Sequence, residues 1–155
     1  MTSCRSSTVE VRRLGRQDAA ALQELHWRIY AQGLNADEVT QVPLARCQAM
    51  LDDPCYFVLG ARSGDAWIGW AVAIAIRRWQ RDKLFLYEVD VVEGLRRRGV
   101  GTSLIEAALA IARERSMAVT FVMTNASNEA AMALYRRTGA QRPHGDDVLL
   151  TWRSD

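Results

Sequence analysis

The segment Leu84 to Ser103, LFLYEVDVVEGLRRRGVGTS, constrains this chain more than any other. Leu84 to Val92 is an apolar run carrying two acids, Glu88 and Asp90, and reads as a central strand. A short loop leads into Arg96-Arg97-Arg98-Gly99-Val100-Gly101. Leu104, Ile105, Ala108, Ile111 and Ala112 then recur at helical spacing, so a helix is expected over Gly101 to Arg115. Strand, glycine turn and helix in that order suit an anion. Glycines let a backbone approach a ligand closely, and the first amides of a helix, with its dipole, favour a phosphate. Thr102 adds a hydroxyl and the three arginines add positive charge.

Spacing separates this turn from other phosphate motifs. A Walker loop ends in Gly-Lys-Ser/Thr, which is absent. A dinucleotide fingerprint needs a third glycine where Leu104 stands. Three arginines suggest a nucleic-acid patch, yet no further basic cluster interleaved with aromatics supports one. The net charge is only +2. The bland alternative for so short a motif, taken by itself, is an ordinary turn with solvated charge.

The flanking sequence sets the context. Thr8 to Arg12 alternates as a first strand. Asp18 suits the N-cap of a helix carrying Ala21, Leu22, Leu25, Ile29 and Tyr30, which ends by Gly33 and Asn35. Pro43 suits the start of a helix to about Leu51. Cys55 to Arg62 and Trp67 to Arg77, joined at Ser63-Gly64-Asp65, read as an antiparallel hairpin. After the glycine turn and its helix come a strand over Ala118 to Thr124, a helix over Asn128 to Arg137 and a stop at Gly139. A short strand near Ala140, a loop over Pro143 to Asp147 and a last strand from Val148 to Trp152 close the pattern. Hairpins early and βαβ later, without repeat or linker, predict one mixed α/β domain over residues 1–155, with residues 1–7 a flexible N-terminus. Three cysteines without CxxC give neither a disulfide framework nor a zinc site and fit a reduced, cytoplasmic setting. The longest apolar run, Ile68 to Ile76, is too short to span a bilayer, so no membrane partner is expected.

The central pattern closely resembles the GNAT acetyltransferases. Their motif of a strand ending in Val, a loop, Arg/Gln-x-x-Gly-x-Gly/Ala and a helix matches Val91 through Leu104. A second family motif, Asn-x-x-Ala-x-x-Leu-Tyr-x-x-x-Gly-Phe, matches Asn128, Ala131, Leu134, Tyr135 and Gly139, with Ala140 in place of the Phe. The order of elements from Val9 to Trp152 fits as well. The resemblance implies an α/β (α+β) single-domain fold with about four helices and a mixed central sheet of about six or seven strands, two central ones splayed apart. It further implies acetyl transfer from acetyl-CoA to an amine, with no metal. Arg96, Arg97, Arg98, Gly99, Val100, Gly101 and Thr102 would bind the CoA pyrophosphate. Val91 would pair with the pantetheine arm, the Val89 amide would polarise the thioester carbonyl, and Asn128 would help fix the arm.

Glu88 and Asp90 alternate on a strand and so share one face. Acids within an apolar strand are costly unless partnered or functional. A carboxylate can take the proton of an ammonium acceptor, directly or through water. Glu88 stands where small-amine members of the family carry Asp or Glu, which makes it the candidate base, and Asp90 a substrate-orienting acid. The plain alternative for both is a salt bridge to an arginine such as Arg77 on the neighbouring strand. Tyr135 matches the family tyrosine that can protonate the departing thiolate, or simply packs on the sheet. His26, in a helix that could border the acceptor pocket, and His144 read as structural or exposed.

Acid pairs at Asp37-Glu38, Asp52-Asp53 and Asp146-Asp147 could join Glu88 and Asp90 in a negative acceptor pocket, Asp146 and Asp147 as substrate contacts, or could simply be solvated. The stretch Tyr56 to Val91 is similar to GNAT-type aminoglycoside 3-N-acetyltransferases, whose Tyr-Asp-Leu-Ala-Val strand corresponds to Tyr87 to Val91. That similarity implies a small cationic acceptor and antibiotic inactivation. A protein N-terminus, lysine, polyamine or amino acid is the second acceptor class, and a CoA-binding module without catalysis the third reading. Trp79 and Trp152 would allow a homodimer.

Overall fold

The phase of the apolar residues changes partway along the central strand, and that change organises the sheet around it. Before Tyr87 the buried positions are Leu84 and Leu86, and after it the core-facing ones are Val89 and Val91. The computed structural model describes residues 8–31, 40–143 and 151. The expectations for residues 1–7, Asp37, Glu38, His144, Asp146, Asp147 and Trp152 lie outside the described residues, as does nearly all of the expected last strand.

The elements run β1 (Val9–Arg13), a 3₁₀ turn (Arg16–Asp18), α1 (Ala19–Tyr30), α2 (Leu44–Asp52), β2 (Tyr56–Ser63), β3 (Ala66–Ile76), β4 (Lys83–Val91), a second 3₁₀ turn (Glu93–Leu95), α3 (Val100–Glu114), β5 (Thr120–Val122) and α4 (Glu129–Arg137). Among the described residues the sheet has five strands in the order β1-β2-β3-β4-β5. The first four pair antiparallel and β4–β5 is parallel. This is the mixed α+β architecture the motifs imply, with fewer strands described than expected.

Each face of the sheet has its own core. On one side Ala71, Ala73 and Ala75 of β3 are small enough for α3 to lie close, and Leu104, Ile105, Ala108 and Ala112 pack there with Leu84 and Leu86. On the other, α1 and α2 set Leu22, Leu25, Ile29 and Cys47 against Val58, Trp70 and Val72. Asp18 stands at the N-cap position of α1 as expected, but its carboxylate makes no cap bond to that helix. It takes two hydrogen bonds from Arg12 (2.6 and 2.9 Å) and one from the Gly15 amide (2.9 Å). These hold it below the usual carboxylate range, the Arg12 bond being the main cause, although burial opposes them.

Among the described residues the short strand expected near Ala140 is not formed. Gly139, at φ +92°, ends α4 in a left-handed turn. Its amide donates to Arg136 O (3.0 Å) and that of Ala140 to Tyr135 O (2.9 Å), which caps the last carbonyls.

Two features of β4 position the site. Tyr87 is a bulge: Val72 lies opposite Glu88 while Ala73 lies opposite Leu86. The extra residue moves Glu88 and Asp90 from the α3 side to the α1 side, opposite Val72 and Trp70. The second feature is a gap. β5 pairs with β4 only from Leu84 to Leu86, so past Leu86 the strands part, as expected for a splayed pair. Deleting Tyr87 removes the unpaired residue and leaves its neighbours their present partners, Leu86 opposite Ala73 and Glu88 opposite Val72, so both carboxylates stay on the α1 side. The expected outcome is a folded protein whose stability changes by no more than about 2 kcal/mol in a urea titration followed by circular dichroism. Tyr87→Ala, a change at an exposed side chain, should keep the fold.

Candidate active site

Alternation of hydrogen bonding along β4 decides which backbone groups face the gap. The Val92 amide donates to Ile68 O (2.9 Å), so Val92 and Asp90 are the positions bonded to β3. Val89 and Val91 then turn their N–H and C=O groups away from β3, toward the opening beside β5. β3 carries Gly69 here for a steric reason. A Cβ at that position would sit 2.8 Å from the carbonyl oxygen of Asp90. The carbonyl of Val91 already accepts from Arg96 Nε at 3.0 Å, so this arginine braces the mouth of the gap.

The glycine turn follows directly. Arg97 (φ +62°) and Gly99 (φ +84°) both adopt the left-handed conformation, and a Cβ at Gly99 would meet nothing within 4 Å. Helix α3 starts at Val100, one residue earlier than its apolar pattern suggests. Among the described residues, Ser103 is the first in α3 whose amide finds a carbonyl, that of Gly99 at 3.0 Å. The amides before it form the unpaired, positively polarised start of a fifteen-residue helix. Arg97, Arg98, Val100, Gly101 and Thr102 lie in or beside this turn, and it has the open space and the donors that a diphosphate requires. Leu134 of α4 closes one side: its Cδ2 would lie 3.1 Å from a Cβ at Gly101.

On the α1 side the bulged strand presents its acids to an aromatic stack. The Tyr30 hydroxyl donates to Glu88 Oε1 at 3.2 Å. The Tyr30 ring stacks on His26 (centroids 4.5 Å apart), and His26 tilts against Trp70 at 5.1 Å. Trp70 is only 2% exposed, and its Nε1 and the Nδ1 of His26 are buried without a partner among the described residues. Burial pushes the carboxyl of Glu88 above the usual range. The Tyr30 bond opposes this shift, and the nearby charge of Asp90 adds to it. Burial holds His26 below its ordinary value, against the pull of Asp90, so its ring is neutral near pH 7.

Tyr135 lies half-buried on α4, packed against the core under α3, and its phenol is raised by burial and then by the charge of Asp90. Asp90 therefore acts on His26, Tyr30, Glu88 and Tyr135 together. Asn128 caps α4, its Oδ1 accepting from the Ala131 amide at 3.1 Å, which leaves only its amide nitrogen for another partner. The salt bridge to Arg77 that the sequence allowed is not formed: among the described residues no ion pair reaches Glu88 or Asp90. Asp52 instead pairs with Arg16, and Asp53 accepts from the Cys55 amide (2.8 Å), so this acid pair is occupied structurally. Among the described residues no group of acids, cysteines and histidines could hold a metal ion, and no helix is long and apolar enough to cross a membrane.

The model of the acetyltransferase (GNAT) family matches residues 19–140, and the chain belongs to that family. N-alpha-acetyltransferase RimI of Mycobacterium tuberculosis is 35% identical over 103 residues, which cover 64% of this chain and 61% of that protein. The alignment thus spans less than two thirds of this curated relative. Among solved structures, the aminoglycoside acetyltransferase meta-AAC0020 from an uncultured soil metagenomic sample has the same fold. Its TM-score is 0.81 at 17% identity, over 97% of each chain. The aminoglycoside N-acetyltransferase AAC(6')-Iy, in complex with CoA, superposes with a TM-score of 0.78 at 18% identity over 99% of each chain.

Sequence reasoning placed Glu88 and Asp90 on one face and the glycine turn at a helix start, and both placements are met. It missed Tyr30 and Trp70. The i, i+4 spacing of His26 and Tyr30 on α1 was the available signal, since it puts both rings on one helix face. Backbone strain in the turn is testable by substitution. Gly99→Ala should lose about 1–2 kcal/mol in chemical denaturation because a Cβ resists the left-handed region. Arg97→Gly, which relieves the same strain at a non-glycine, should leave the midpoint close to that of the parent.

Proposed function

We propose that the protein moves an acetyl group from acetyl-CoA to a primary amine of a small cationic molecule, with an aminoglycoside as the favoured acceptor. The observation that carries the reading is the pair of half-buried carboxylates set beside an open strand gap, with no neutralising ion pair among the described residues. A desolvated carboxylate pair favours an ammonium ligand.

In this reading the amides from Arg97 to Thr102 hold the diphosphate of CoA, with Arg96 and Arg98 adding positive charge. Its pantetheine arm lies along the outward groups of Val89 and Val91. When bound, acetyl-CoA supplies the activated thioester. The Val89 N–H donates to the oxygen on which charge develops as the amine nitrogen adds to the carbonyl. Glu88 takes the proton that the ammonium must lose, directly or through water, and Asp90 orients the cation. The C–N bond forms, the C–S bond breaks, and Tyr135 gives its phenolic proton to the leaving sulfur. Its raised pKa keeps that proton in place until the sulfur departs.

Glu88 must be ionised to work. Its raised pKa puts the acid limb of kcat above the usual carboxylate range, with activity falling as pH drops through that limb. Glu88→Gln should remove the limb and slow transfer about 10²–10⁴-fold, read as release of free CoA thiol. A Glu88→Gln protein with the parent's rate and profile would exclude the base role.

A second reading, transfer to a protein α-amine, is favoured by the 35% identity to RimI. Thiol release measured with sisomicin, spermidine and an alanine-initiated peptide separates the two. Higher kcat/KM for sisomicin or spermidine supports the small cation, and turnover of the peptide alone transfers the proposal to the N-terminal class.

A further inference from the structure

We propose that Tyr30 is a positioning residue of the reaction: its phenol holds the Glu88 carboxylate on the acceptor side of the gap. The inference rests on the reading of Glu88 as base and assigns a role to a residue of another element.

The geometry argues for a device rather than a passing contact. Tyr30 is the last residue of α1 and 40% exposed, so its ring contributes little to the core. It is nevertheless fixed. His26 stacks on it at 4.5 Å, and both rings lean on Trp70, which β3 buries almost completely. This tower stands on the strand neighbouring β4, and the top of it delivers a hydroxyl to Glu88 Oε1 at 3.2 Å. Glu88 directly follows the Tyr87 bulge, where strand pairing to β3 is irregular and β5 no longer supports the other side. A carboxylate there has rotamer freedom that the strand itself does not remove.

The groups around Glu88 are defined. From α1 come Tyr30 and the neutral His26, from β4 Asp90 and Tyr87, from β3 the uncharged Val72 and Trp70, and Tyr135 of α4 shares the Asp90 charge. Among these described residues Tyr30 is the donor that favours the ionised form of Glu88. Burial and the two carboxylates push the phenol of Tyr30 well above its ordinary value, so it stays protonated and remains a donor throughout the working range.

Tyr30→Phe tests this directly, because it removes the hydroxyl and keeps the ring and its stack. In the full chain labelled at the glutamate carboxyl carbons, the Glu88 resonance (identified by its loss in Glu88→Gln) should titrate at higher pH in Tyr30→Phe than in the parent. With sisomicin and the alanine-initiated peptide as acceptors, kcat should fall roughly 10- to 100-fold, its acid limb should move to higher pH, and KM for acetyl-CoA should stay unchanged. In the Glu88→Gln background, Tyr30→Phe should have no further effect on kcat. An unshifted Glu88 titration overturns the proposal whether or not either acceptor is turned over. If Glu88→Gln keeps the parent's rate, the base reading falls. If Glu88→Gln is slow while Tyr30→Phe matches the parent in rate, limb and titration, only the Tyr30 assignment falls.

Discussion

The site depends on one extra residue in β4. A regular strand would put residues 84, 86, 88 and 90 on a single face, and the acids would then lie in the core under α3. The bulge at Tyr87 resets the phase, so the same strand supplies Leu84 and Leu86 to one core, continues it with Val89 and Val91, and turns Glu88 and Asp90 to the opposite side. Packing and chemistry thus share a strand without competing for the same face. The separation from β5 after Leu86 completes the arrangement: β3 still anchors the carboxyl-terminal half of β4 along one edge, while the backbone groups on the other edge are free to meet a ligand.

The electrostatics follow from that placement. Burial penalises the charge of Glu88, and the neighbouring charge of Asp90 adds to that penalty. The surrounding groups do not cancel the cost. His26 is neutral because it is buried, Trp70 is uncharged, and the phenols of Tyr30 and Tyr135 hold their protons more tightly chiefly because they are buried, with the charge of Asp90 adding to it. Such a cluster is stabilised by whatever brings a positive charge to it, and in the proposed reaction an ammonium does so. The cluster is therefore better suited to a bound cation than to the empty state.

Much of this was legible in the residues. The Arg96-x-x-Gly99-x-Gly101 turn fixed a strand before it and a helix after it, and the phase change from Leu84 and Leu86 to Val89 and Val91 was written in the sequence as a broken alternation. The bulge itself was not recognised, because two acids two apart read equally well as a regular strand face. Asp18 misled in the other direction. Its type and place suit an N-cap, but a guanidinium and an amide six and three residues before it offered more bonds than the helix end did. The expected strand at Ala140 failed for a local reason, since Gly139 in the left-handed region commits the next amide to closing α4. Tyr30 escaped notice because its role needs α1 and β4 to be adjacent, a relation that spacing within one helix cannot express.

That adjacency also explains why the fold and the acceptor are legible to different degrees. The glycine turn is local: about eight consecutive residues create its donors, and backbone geometry does most of the work. The proposed acceptor face is assembled from α1, β3 and β4, which lie far apart in the chain, and side chains define it. Structures at 17–18% identity share this fold. The proposed acceptor face rests on individual side chains such as Tyr30 and His26, which can differ while the strands stay in place. An aromatic tower rooted in β3 and ending on Glu88, the proposed base, is on this proposal a sharper marker of acceptor choice than the sheet that carries it, because it couples the wall beside that carboxylate to its protonation state.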